Sequence, residues 1–199
     1  IHSESIISNL VYYVCDILDH NDKFSTEPPF SLLELFGAGS MVNQIIETIC
    51  EPKNVDHIHY PLISLNLRSC SQITADSMKI ILQTFDSTIQ FVDVANTGPC
   101  MDADCFNMLG KLNKLQGLDI SLCKATVIDS SITILAKSLT EHGGNLTLKY
   151  MSMSGCSSIT NIGLNTLVLP NVIDFCIYGC HQIDDRGMLA LGSNKNIQK

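Results

Sequence analysis

The segment LISLNLRSCSQITADSMKIIL, Leu62 to Leu82, reads as a short strand, a turn and a helix in succession. Leu65 and Leu67 are two apart, so an extended chain sends both to one face and leaves Ser64, Asn66 and Arg68 on the other. Cys70 falls where the chain leaves the strand, and a small, weakly polar side chain can be buried in such a bend. Ile73, Thr74, Ile81 and Leu82 then supply a helix start and an apolar stripe. One unit of this kind cannot cover its own apolar face and needs similar neighbours.

The neighbours are present. Phe30, Leu33 and Leu35 lead to Ala38; Ile89, Val92 and Val94 lead to Thr97; and Leu115, Leu118 and Ile120 lead to Cys123. Leu148, Met151 and Met153 lead to Cys156, and Val172, Phe175 and Ile177 to Cys180. Between the turn positions 38, 70, 97, 123, 156 and 180 the steps are 32, 27, 26, 33 and 24 residues. The three shortest fall in the range of about 20–29 residues expected for strand-and-helix repeats with an L-x-x-L-x-L-x-x-C pattern. The two long steps coincide with the polar connection 51–61 and with the insertion His142-Gly143-Gly144-Asn145, which interrupts the rhythm.

This is the pattern of a leucine-rich repeat. The runs Cys70-Ser-Gln-Ile73-Thr74, Cys156-Ser-Ser-Ile159-Thr160 and Cys180-His-Gln-Ile183-Asp184 resemble the cysteine-containing, RNI-like subclass, best known from F-box/leucine-rich-repeat proteins. The resemblance covers about residues 30 to 193. It implies an α/β leucine-rich-repeat solenoid, a horseshoe with parallel concave strands and convex helices, of about five to six repeats over 30–199. Residues 1–29 precede it as a capping helix, with Ile6, Ile7, Leu10, Val11, Val14, Ile17 and Leu18 at helical spacing, and a loop ending in two prolines. It further implies the substrate-recognition part of an F-box-like SCF ubiquitin ligase subunit. No stretch of the chain reads as an F-box, so contact with ligase core subunits would run through a region outside it. The alternative is a scaffold or regulatory protein unrelated to ubiquitination, because such repeats serve many partners.

Composition narrows the classes. The 199 residues are 45% hydrophobic and 16% charged, as in a folded domain rather than a disordered one. A net charge of -8 argues against nucleic acid and anionic membranes, which call for a basic surface. Four of the 9 cysteines share one repeat position, and the total is odd. Reduced structural thiols in an intracellular protein, of cytoplasm or nucleus, are therefore expected over a disulfide framework.

The residues that alternate with the buried leucines should line the concave wall. They include Phe36, Asn66, Arg68, Phe91, Asp93, Asp119, Tyr150, Asp174 and Tyr178, with Ala95, Gly117 and Ser121 at equivalent places. Aromatic side chains beside carboxylates, with Arg68 as the single cation, suit the anchor-and-rim composition of a protein interface. A protein partner or extended peptide on this wall is the expected ligand.

Enzymatic signatures are absent from the sequence. It holds no Gly-rich phosphate loop, G-x-S-x-G or H-E-x-x-H. Gly37-Ala38-Gly39-Ser40 lacks the lysine of a phosphate loop and falls on a repeat turn. Cys176, Cys180 and His181 near Asp184 and Asp185 have no second Cys/His pair at zinc-finger distance. Cys100 and Cys105 form no C-x-x-C, and His57 and His59 stand alone. The expectation is a non-enzyme with no cofactor and no metal.

Overall fold

The computed structural model of the chain describes residues 32–35, 39–52, 61–97 and 100–191. The expected N-terminal helix, Phe36, the Ala38 turn and the His57/His59 pair lie outside the described residues. Six strands alternate with helices. These are β1 Leu32–Glu34, α1 Val42–Cys50 after a 3-10 turn at Gly39–Met41, β2 Ser64–Asn66, α2 Ala75–Thr84, β3 Phe91–Asp93 and α3 Ala103–Lys111. There follow β4 Gly117–Asp119, α4 Asp129–His142, α5 Gly144–Thr147, β5 Tyr150–Ser152, α6 Asn161–Leu164, β6 Asp174–Cys176 and α7 Asp185–Leu191.

The strands form one parallel sheet in the order β1 to β6, an α/β arrangement compatible with a solenoid. Register is constant from pair to pair. Leu33, Leu65, Val92, Leu118, Met151 and Phe175 therefore form one buried line across the sheet. A second line, Leu67, Val94, Ile120 and Met153, is fully buried one residue beyond the strands. These lines meet the apolar stripes of the helices, for example Val42, Ile45, Ile46 and Ile49 of α1. Successive helices pack on one another from α1 to α4, with α4 on α6 and α6 on α7, and close the second layer.

The turn after each strand carries the lock between repeats. The thiol of Cys70 donates to the Leu35 carbonyl at 2.7 Å, Cys123 to Val94 at 3.3 Å, Cys156 to Ile120 at 3.3 Å and Cys180 to Met153 at 3.2 Å. Each acceptor belongs to the preceding repeat and stands three residues before that repeat's own turn position. Thr97 occupies the same place, fully buried, and its hydroxyl instead donates to Val94 of its own repeat at 2.8 Å.

The residue just before the turn position is left-handed in every described repeat. Ser69, Asn96 and Leu122 have φ of 61°, 56° and 61°, and Gly155 and Gly179 have 72° and 77°. At four of these places the amide still reaches the next repeat, as with Ser69 N–H to Ala95 O and Gly155 N–H to Tyr178 O. The conformation turns the chain inward so that the next side chain, the cysteine, enters the core. It suits glycine and costs other residues about 1–2 kcal/mol.

The helices are joined by polar groups at their N-termini. Asn43 donates to Gln72 O and accepts from Thr74 N–H, and both carboxylate oxygens of Asp129 accept from Thr160 at 2.8 and 2.7 Å. Asn161 donates to the Asp184 carboxylate at 2.7 Å and accepts from the Asp184 N–H at 3.1 Å. A residue in the first turn of one helix thus caps the helix of the following repeat.

The insertion at 142–145 does not break the sheet. α4 continues to His142, Gly143 ends it at φ 77°, and α5 returns the chain to β5 in the common register. The extra residues lengthen the helical layer only. The short helix α6 begins at Asn161, where Thr160 caps it by accepting from Ile162 N–H.

Three substitutions test these turns. Gly179→Ala should lower stability by about 1–2 kcal/mol from backbone strain alone, and Leu122→Gly should raise it by a few tenths to about 1 kcal/mol. Urea denaturation midpoints at constant slope give both values. Cys156→Ser should cost about 1–3 kcal/mol, because a more polar group replaces a thiol in a closed turn.

Candidate functional site

Since register is constant, the side chains on the face opposite the helices fall into three rows. The first holds Ser64, Phe91, Gly117, Tyr150 and Asp174. The second holds Glu34, Asn66, Asp93, Asp119, Ser152 and Cys176. The backbone bonds beyond the strands continue the ladder to a third row of Arg68, Ala95, Ser121, Ser154 and Tyr178. Rows one and two line an open groove of about 530 Å³ that crosses the sheet from Glu34 to Asp174 and Cys176.

The structure brings Asn66, Phe91, Asp93, Asp119, Tyr150 and Asp174 together as lining of this groove. Arg68 and Tyr178 stand in the third row, Tyr178 being 86% exposed. Three positions expected to point outward are buried. Ala95 has no exposed surface, and Ser121 is held by Ser152 Oγ at 2.7 Å and by the Ser154 amide at 3.1 Å. Gly117 is covered by the Phe91 ring, whose Cδ1 would stand 2.7 Å from a Cβ at that position.

The central carboxylates are already engaged. Arg68 Nε donates to Asp93 Oδ2 at 2.8 Å and Nη2 to Asp119 Oδ2 at 2.5 Å, so one guanidinium bridges two repeats. Burial alone would lower the arginine pKa, but the hydrogen bonds and charges of Asp93 and Asp119 outweigh it, and the pKa is raised. The other oxygens are used as well: Asp93 Oδ1 accepts from Ala95 N–H at 3.0 Å and Asp119 Oδ1 from Ser121 N–H at 2.9 Å. Asn66 Oδ1 does the same for Arg68 N–H at 3.0 Å. This side-chain-to-backbone bond two residues on is a turn device of Asn and Asp. Asn or Asp one residue before the second buried line was its available signal in the sequence, and its recurrence at Asn66, Asp93 and Asp119 serves the turn as well as the surface.

The ends of the groove differ from its centre. Glu34 is exposed and, among the described residues, its carboxylate accepts only from the neutral Asn66 amide, at 3.1 Å. The Asp174 carboxylate has no hydrogen-bond or ion-pair partner among the described residues, while its backbone N–H donates to Lys149 O. Tyr150, beside Asp174 in register, is 44% exposed, and Phe91 is 37% exposed.

Cys176, at the same end, is exposed and accepts from Ser154 Oγ at 2.9 Å. That bond, then the Tyr178 amide, holds its thiol below the ordinary value. The inward cysteines behave oppositely, since burial pushes Cys156 and Cys105 up to about 12 and Cys100 up to about 11. Cys176 and Cys180 face opposite sides of the sheet, one outward and the other to the core. Among the described residues no group of three or more His, Cys, Asp or Glu is placed to hold a metal ion, and no helix is long and apolar enough to cross a membrane.

These differences predict an order of labelling. Iodoacetamide at neutral pH should modify Cys176 first among the described cysteines, with a rate profile shifted to lower pH than a free thiol. Cys105, Cys123 and Cys156 should react only on unfolding. Mass spectrometry of time points checks this, and fast labelling of Cys156 in the folded protein would contradict the turn geometry.

No family model matches this chain, and no curated protein matches it. Solved structures do match, among them a chain of the "Crystal structure of Rad7 and Elc1 complex in yeast". The identity is 12%, the match covers 96% of this chain and 73% of that one, and the TM-score is 0.26. An overlay at that score carries no argument about fold or function.

Proposed function

We propose that the chain is a non-catalytic protein-recognition module whose leucine-rich-repeat horseshoe receives an extended segment of a protein partner along its concave wall. The observation that carries this reading is the groove itself, where Phe91 and Tyr150 stand exposed among carboxylates held by backbone amides. Such groups need little further ordering on binding, which lowers the entropy cost of association. Aromatic anchors commonly carry about 2 kcal/mol or more of binding, while charged rims act on rate and specificity.

The narrower role, substrate recognition in an F-box-like SCF ubiquitin ligase subunit of cytoplasm or nucleus, rests on the resemblance of the cysteine turns at 70, 156 and 180. It is tested separately, by whether the full-length gene product co-purifies with ligase core subunits. If it does not, the chain is a repeat scaffold or regulator outside ubiquitination.

The wall is tested by partner capture with wild type, a Phe91→Ala/Tyr150→Ala variant and Lys137→Ala as a control on the exposed face of α4. The control should retain partners and the double variant should lose them. If the double variant melts like wild type and keeps every partner, the wall is not the site.

A further inference from the structure

We infer that the occupant of the groove is a doubly cationic extended segment, with two Arg or Lys side chains about seven residues apart and an apolar residue between them. The inference rests on the wall being the binding face. Its new content is the uneven charge along that wall.

Among the described residues the groove lines up four carboxylates, at Glu34, Asp93, Asp119 and Asp174, and Arg68 beside it is the cation that answers them. The guanidinium is shared by the two central ones, and their remaining oxygens bind backbone amides. The centre therefore keeps one net negative charge, but its oxygens are saturated. A cation arriving there would have to displace Arg68, whereas one arriving at Glu34 or Asp174 meets a carboxylate with no countercharge among the described residues. The two open charges lie at opposite ends, on β1 and β6. With about 4.8 Å between neighbouring strands, five steps separate them by about 24 Å. An extended chain advances about 3.4 Å per residue, so about seven residues span that gap.

The aromatic residues refine the fit. Tyr150 is the direct cross-strand partner of Asp174, so a guanidinium or ammonium bonded to that carboxylate lies beside the phenol ring, where a cation–π contact adds to the ion pair. Phe91, leaning over Gly117 next to the bridged central carboxylates, offers an apolar contact midway. Charge at both ends with an apolar middle is the complement of a segment of the form cation, spacer, apolar residue, spacer, cation.

The test uses the full chain and synthetic fluorescein-labelled decapeptides of otherwise Ser/Gly sequence, read by fluorescence anisotropy. The reference peptide has Arg at positions 1 and 8 and Leu at position 5. The comparison peptides have Arg at 1 and 4 with the same Leu, or Glu in place of both Arg. The reference should bind most tightly, and its affinity should fall with salt. Asp174→Asn and Glu34→Gln should each weaken it about two- to fivefold, as should Tyr150→Leu, while leaving the Glu peptide unaffected. Equal binding of all three peptides, tighter binding of the Glu peptide, binding of none, or indifference to both carboxylate variants overturns the inference. Loss of partners in the Phe91→Ala/Tyr150→Ala variant with equal peptide binding leaves the wall as the site and removes only its cationic ligand. Retention of every partner by that folded variant removes the wall reading instead.

Discussion

The hydrogen bond from a buried turn thiol to a carbonyl of the preceding repeat is the contact on which the rest of this structure depends. Each strand has only three residues, so the sheet gains little from any one ladder. What holds register is that the chain, on leaving a strand, turns left-handed, drops a small side chain into the core and ties it to its neighbour. A shift of one residue would place a leucine on the open face and a charged residue in the core. The helix-end amides and carboxylates at Asn43, Asp129 and Asn161 repeat the same logic on the other layer.

Repetition of this kind has a chemical consequence on the open face. Because register never shifts, outward residues from distant parts of the chain fall into straight rows. Arg68 can therefore reach Asp119, 51 residues away, through a single side chain. Exposed pairs of this type contribute little to stability, typically under about 1 kcal/mol. Their effect is to shape the groove, leaving the carboxylates of its middle bridged and saturated and those of its ends open. The same geometry divides the cysteines by side of the sheet, so that Cys156 is inert and Cys176 is the reactive one.

The repeat pattern was legible from residue spacing because burial on one face of a strand demands alternation, and one methylene more or less is felt in a close-packed core. Leu65 and Leu67, Val92 and Val94, and Leu118 and Ile120 announce themselves in that way, as do the turn cysteines. The left-handed turn was largely hidden, since Ser69 and Leu122 are not residues that mark such a backbone and Asn96 alone among the three is. Glycines 155 and 179 show its preference only once the repeats are aligned. The insertion near Gly143 looked like an interruption because linear spacing counts residues and not layers, whereas the fold places the excess in the helices.

The sequence by itself determined the α/β repeat, the identity of the buried lines and the list of outward residues, because side-chain alternation is a local property of an extended chain. Only the tertiary structure decided which of those outward residues are free. Ala95, Gly117 and Ser121 are covered, Asp93 and Asp119 are tied to Arg68, and Asp174 and Glu34 meet no countercharge among the described residues. Those outcomes hang on side chains reaching across strands from residues 25 to 51 positions away, a distance in sequence over which periodicity carries no information.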